Sequence, residues 1–119
     1  MADTHDVRAF VRNVPISAQK VRLVVDQIRG RGANQALDAL RFMPNAAARS
    51  VAKVLRSAIA NAEENFGMTS EELVVFKAFA DEGPSRRWRR FGARGRFKPM
   101  IRRSSSVTIV LREKEQAAA

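Results

Sequence analysis

Nine arginine or lysine residues fall within nineteen consecutive positions, Ser85 to Arg103, and no aspartate or glutamate interrupts them. The run reads SRRWRRFGARGRFKPMIRR. No protein core can absorb such a segment, because an unpaired buried charge is too costly. Whatever this chain folds into must leave these residues outside. The remainder is ordinary by comparison: of 22 basic and 12 acidic residues in all, it holds 13 basic and 12 acidic. A nearly neutral body with a concentrated cationic insertion points to a polyanion, most often nucleic acid and sometimes an anionic membrane.

At 119 residues the chain suits one domain with one modest core. It has no cysteine, so disulfides and thiolate metal sites are excluded, and His5 is the single histidine. No apolar run approaches the roughly 18 residues of a membrane span. The polar start is neither a secretory signal nor a transit peptide. No cofactor is expected, and a soluble cytoplasmic protein is.

Hydrophobic periodicity outlines the body. Val7, Ala9 and Val11 alternate with Arg8 and Arg12, which predicts a short strand ended by Pro15. Ser17 is a cap for a helix whose stripe is Val21, Val24, Val25 and Ile28, stopped at Gly30-Arg31-Gly32. Asn34 is expected to cap a second helix, with Ala36, Leu37 and Leu40 on one side. Asn45 is expected to cap a third, which runs to Gly67. In the third, Ala58, Ala60 and Ala62 would allow close packing. Leu73–Ala80 and Ser106–Arg112 read as strands, the latter alternating Val107, Ile109 and Leu111 against Thr108 and Val110. Strand, three helices, then two strands around the insertion is an α+β pattern. It predicts three helices packed on a small antiparallel sheet, with a very long protruding β-hairpin. The expected organisation is a single domain over 1–119, with its body at about 7–80 and 104–112, a basic hairpin at about 81–103 and a frayed tail at 113–119.

The insertion is either a disordered cationic loop or a ribbon that continues the two flanking strands. In extended conformation Arg86, Trp88 and Arg90 share one face, and Arg87, Arg89 and Phe91 the other. Both faces are then cationic, and neither can pack on a core. An ordered ribbon asks for an anionic partner on both sides, which folded RNA offers and a membrane surface does not. From Leu73 to Leu111 folded in half, the ribbon would reach roughly 60 Å at about 3.3 Å per residue. Gly92-Ala93-Arg94-Gly95 is the candidate tip, with positive φ expected at Gly92 and Gly95. All but one of the nine cations are arginine, whose fork grips phosphate and whose plane stacks on bases. Trp88, Phe91 and Phe97 could stack as well. RNA binding is favoured over DNA binding. A free nucleic-acid-binding protein with a floppy basic loop is the alternative. An RNA-directed enzyme is a third reading, resting only on the acids Asp81 and Glu82. Adjacent strand positions face opposite ways, so those two make a poor catalytic pair.

Three blocks bring a family into view: ISAQKVRLVVDQIRG (Ile16–Gly30), VLRSAIANAEENFGM (Val54–Met68) and DEGPSRR…ARGR…RRSSSVTIVL (Asp81 to Leu111). With these the chain resembles the bacterial large-subunit ribosomal protein twenty-two family, from about Val7 to Leu111. The resemblance implies a structural, non-enzymatic protein on 23S rRNA near the outer end of the peptide exit tunnel. The hairpin would run inward and its tip would form part of the tunnel wall. It also implies contacts with several rRNA domains, help in early subunit assembly, and proximity to neighbouring ribosomal proteins and the nascent polypeptide. Arg94, Gly95 and Arg96 match the family's ARGR block, Arg102 and Arg103 its basic pair, and Lys20 and Arg22 the KVR of the first helix. The rRNA-binding set expected is Arg12, Lys20, Arg22, Arg86, Arg87, Arg89, Arg90, Arg94, Arg96, Lys98, Arg102 and Arg103. The tunnel-lining tip expected is Trp88, Arg89, Arg90, Phe91 and Gly92. The chain departs from the family pattern at Phe91-Gly92, where Pro-Arg is usual, and at Ser104-Ser105-Ser106, where Thr-Ser-His is usual.

Overall fold

The structure is a computed structural model that describes residues 6–114, with the backbone alone for 88–91, 97 and 99. His5 and most of the expected frayed tail lie outside the described residues. The elements are β1 (Val7–Val14), α1 (Ala18–Ile28), α2 (Ala33–Arg41), α3 (Ala47–Phe66), β2 (Leu73–Glu82), β3 (Arg86–Phe91), β4 (Phe97–Arg102) and β5 (Ser105–Glu113). β5 lies between β1 and β2 in an antiparallel sheet, and β3 and β4 form a separate two-stranded ribbon. The fold is α+β, as its sequence pattern implies. No helix among the described residues is long and apolar enough to cross a membrane.

The helices bury the stripes their spacing dictates. Val21, Val24, Val25 and Ile28 of α1 are fully enclosed. In α3, Val51, Leu55, Ala58 and Ala62 line the buried side. Ala60 is exposed, two positions round the helix from each of its expected partners. Both helices pack on one face of the sheet against Val7, Ala9, Ala78, Val107, Ile109 and Leu111. Gly67 ends α3 at φ 64°, the left-handed conformation that only glycine takes without strain.

The caps fall differently from the sequence expectation. Ser17 occupies the cap position of α1, but its hydroxyl makes no capping bond. α2 begins one residue after Gly32, so Asn34 lies within its first turn and donates to Ser70 Oγ instead. Ala46 precedes α3, and Asn45 contributes its backbone carbonyl to the Ala48 amide. In none of the three helices does the expected polar side chain cap the first turn.

β1 also departs from simple alternation. Val11 pairs with Val107 and Val14 with Ser105, so β1 carries one extra residue, and Asn13 absorbs it at φ 60°. Val11, just before the bulge, keeps its place opposite buried Val107 and lines a cleft with Ser50 and Val54 of α3, where it is partly exposed. In β5, Thr108 and Val110 are buried although they face away from the helices. A central strand is flanked on both sides, and its neighbours' longer side chains cover it. Glu113 pairs with Leu73 and so belongs to β5, not to the tail.

Candidate nucleic-acid interface

The hairpin leaves the body where the β2–β5 ladder is interrupted. Glu82 pairs with Ser105 and Arg86 with Arg102, so Gly83, Pro84 and Ser85 stand opposite only Arg103 and Ser104. The Gly83 amide donates to Ser104 O at 2.9 Å, and Ser104 Oγ donates to Pro84 O at 2.6 Å. A Cβ on Gly83 would lie 2.6 Å from Ser104 Oγ, so a larger residue would displace that hydroxyl from its bond to Pro84 O. Beyond this joint, β3 and β4 pair in unbroken register from Arg86↔Arg102 to Phe91↔Phe97. The insertion is therefore a ribbon. It gives the molecule a long axis of 66 Å against 29 and 24 Å.

The ribbon is electrostatically unfavourable on its own. Arg86 stands opposite Arg102, and Arg90 opposite Lys98. Like charges directly across a ladder repel, and a two-stranded ribbon without a core is marginal in water. Arg86, Arg87, Arg94, Arg96, Lys98, Arg102 and Arg103 are all exposed. No described side chain between Ala80 and Ser105 is buried.

The tip differs in detail from the expectation. A short turn, Ala93–Gly95, closes it, with Arg94 at φ 61° and Gly95 at φ 73°. Gly92 is extended at φ −100° and needs no special backbone freedom. It needs space: an added Cβ would meet Arg96 O and Lys98 Cγ at 2.9 Å. Its amide donates to Arg96 O at 2.5 Å and closes the loop. The expected tip residues Trp88, Arg89, Arg90 and Phe91 lie in β3, with Trp88 opposite Met100, and only Gly92 borders the turn.

At its base the ribbon meets α1. Lys20, Arg102 and Arg103 line one cleft of about 650 Å³ with Pro15 and Ser17. Arg86, Arg102 and Arg103 line a second, of about 630 Å³. The first turn of α1, with no side-chain cap, adds the partial positive charge of its free amides. The structure thus gathers Lys20, Arg86, Arg102 and Arg103 around one concave junction.

Arg22 and Arg12 lie elsewhere. Arg22 Nε donates to Ala80 O at 3.1 Å, and Arg29 donates to Ala78 O through Nε at 3.2 Å and Nη2 at 2.5 Å. Asp26 orients Arg29 from 2.9 Å. β2 is an edge strand, and these two arginines satisfy its outward carbonyls, while Gly30 and Arg31 exchange backbone bonds with Val75. Part of the Arg22 guanidinium is thereby committed to the fold. Arg12 sits on β1, 5.0 Å from the Phe10 ring.

Sequence reasoning passed over the outer face of the sheet. Phe10, Thr108 and Phe79 form one row across β1, β5 and β2, and Arg8, Val110 and Lys77 form the next. The β1 alternation that predicts the strand also puts Phe10 on the outer face. Beyond them Arg112 stacks on Phe76 at 3.6 Å and forms a two-pronged ion pair with Asp6. The hydrogen bond from Arg112 holds the Asp6 carboxyl below the usual carboxylate range. Asp81 and Glu82 occupy successive positions of β2 opposite Ser106 and Ser105, so they face opposite sides.

Residues 9–112 match the family described as ribosomal protein L22p/L17e. A large ribosomal subunit protein uL22 from Thermoanaerobacter sp. (strain X514) is 52% identical over 110 residues, covering 92% of this chain and 99% of the relative. The protein of the same name from Streptococcus pyogenes serotype M6 is 46% identical over 114 residues, covering 96% of this chain and all of the relative.

Proposed function

The chain belongs to the ribosomal protein L22p/L17e family, and on that footing we propose that it is held in the large subunit by 23S rRNA, through its hairpin and the junction at the hairpin's base. Its role in the ribosome is structural and involves no reaction. It is a ribosomal component of the bacterial cytoplasm, where its partners are rRNA and other ribosomal proteins.

The observation that carries the reading is the ribbon: a paired, exposed, cationic arm with no acid and no core, which stands out from the body and gives the molecule its 66 Å long axis. Such an arm is stabilised only by an enclosing polyanion. Arginine forks bridge phosphates of strands that would otherwise repel, so binding draws separate rRNA domains together and favours early assembly. Arg86, Arg87, Arg89, Arg90, Arg94, Arg96 and Lys98 serve along the arm, and Lys20, Arg102 and Arg103 at its base. Arg12 and Arg22 make further contacts from the body. The far end of the arm, 88–92 with the turn that follows, lines the peptide exit tunnel beside the nascent chain.

The test is chemical footprinting of the full chain on purified 23S rRNA across a salt series. If all nine cations of Ser85–Arg103 meet phosphates, log affinity falls with log salt at a slope of roughly −6 to −8 from this segment. A slope near zero, or no discrete footprint, overturns the reading.

A further inference from the structure

The hairpin and its base leave the outer face of the sheet without a role. Three observations set this face apart. First, it is apolar where a solvent-facing sheet is normally polar: Phe10 is 48% exposed and Phe79 37% exposed, in one cross-strand row. Second, the row is supported from below. Thr108 between the two rings is only 2% exposed and Val110 beside it 8% exposed, so the rings stand on a closed, rigid floor of the central strand. Third, the charge around it is mainly positive. Arg8 and Lys77 form the adjoining row, and Arg12 lies against Phe10. Arg112 is tied to Asp6 and stacked on Phe76, and Asp81 is the remaining acid on this side, at the end toward the hairpin.

We propose that this sheet face is a second RNA site, one that takes unpaired bases on Phe10 and Phe79 while Arg8, Arg12 and Lys77 hold the adjoining phosphates. The proposal rests on the rRNA-binding reading above and adds a different kind of contact to it. The hairpin grips phosphate by charge. The sheet face stacks. Adjacent strands lie about 4.8 Å apart, so the two rings are separated by two such spacings, roughly 10 Å. That separation gives each ring its own base, with the phosphates passing over the flanking cations. A helix-backed antiparallel sheet that offers aromatic rings on its open side suits single-stranded RNA for this reason. The predominance of cations around the rings favours RNA over a protein partner as the occupant.

Two measurements on the full chain decide it. In the first, hexa-adenylate is titrated while aromatic protons are followed by NMR. The ring protons of Phe10 and Phe79 should move by ring-current shifts. Those of Phe42, which is 85% exposed at the end of α2, should not. Equal movement at all three, or none at Phe10 and Phe79, overturns the proposal. In the second, a Phe10→Val, Phe79→Val double variant, which keeps strand-forming side chains, is footprinted on 23S rRNA. Affinity should fall by about tenfold per ring lost. The salt slope should stay unchanged, because no charge is removed. Protection should disappear at unpaired nucleotides different from those lost when hairpin arginines become glutamine. Single Phe→Tyr variants, which keep the ring, should retain binding. If the hairpin variants lose binding and the double variant does not, the sheet-face proposal fails and the rRNA reading stands. If wild-type protein leaves no footprint, the rRNA reading fails and the hexa-adenylate shifts alone decide the face. Unchanged rRNA affinity with loss of a neighbouring protein from assembled subunits would make the face a protein interface and overturn the proposal.

Discussion

Excising the hairpin separates two roles that the structure keeps apart. In the variant, Arg86 to Arg102 is replaced by Asn-Gly, so the chain reverses just beyond the Gly83–Ser104 bond. The body should hardly notice. No described side chain between Ala80 and Ser105 is buried, so almost no apolar area returns to water. The β2–β5 ladder keeps its full register from Leu73↔Glu113 to Glu82↔Ser105. The expected change in unfolding free energy is within about 0.5 kcal/mol. Truncating fully buried Leu55 to alanine should cost about 2–5 kcal/mol by contrast and serves as the scale. Urea unfolding must be followed by circular dichroism, because Trp88, the only tryptophan, leaves with the arm. RNA binding should change drastically. Eight of the nine cations are removed, so the salt slope should shrink by roughly 6 to 7. A body destabilised by more than about 1 kcal/mol would refute the claim that the arm adds nothing to the core. An unchanged slope would refute the claim that the arm carries the binding charge.

Arg29→Met should lower stability by about 1 kcal/mol, since Ala78 O loses its charged donor at a half-exposed site, and should leave the salt slope alone. Lys20→Met should do the reverse, reducing the slope by about one unit with unchanged urea midpoint. Gly92→Ala should disrupt the tip at a cost of roughly 1–3 kcal/mol to the rRNA-bound arm, because the new methyl meets Arg96 O. Loss of backbone contacts between positions 91 and 97 in NMR spectra of the complex would report it. Arg112→Gln tests the Asp6 pair by pH. Asp6 is held below its unfolded pKa, so the pair's contribution is present above about pH 5 and is lost as pH falls through the folded pKa. The variant's urea midpoint should therefore fall less between pH 7 and pH 3 than that of the parent. An equal fall would refute the assignment.

The core was legible because helix stripes are local. Val21, Val24, Val25 and Ile28 announce their common face by spacing alone, and all four are enclosed. The cationic run announced its own exclusion from the core. The caps were misjudged because Ser17, Asn34 and Asn45 are favourable only as isolated choices. In the fold, Asn34 turns to Ser70, a partner 36 residues away. The tip was half legible. Its glycines marked the reversal, but whether Gly92 is needed for φ or for space depends on where Arg96 and Lys98 come to lie.

The sequence by itself determined what is inside and what is outside, since that follows from side-chain chemistry and short periodicities. The tertiary structure alone decided that Ser105–Glu113 is the central strand. From this follow the buried Thr108 and the aromatic row on the open face. It also decided that Arg22 and Arg29 close the sheet's edge, through bonds spanning 58 and 49 residues. Which carbonyl an arginine meets across such a distance depends on strand order and register. These are set only when the strands assemble, and no local spacing records them.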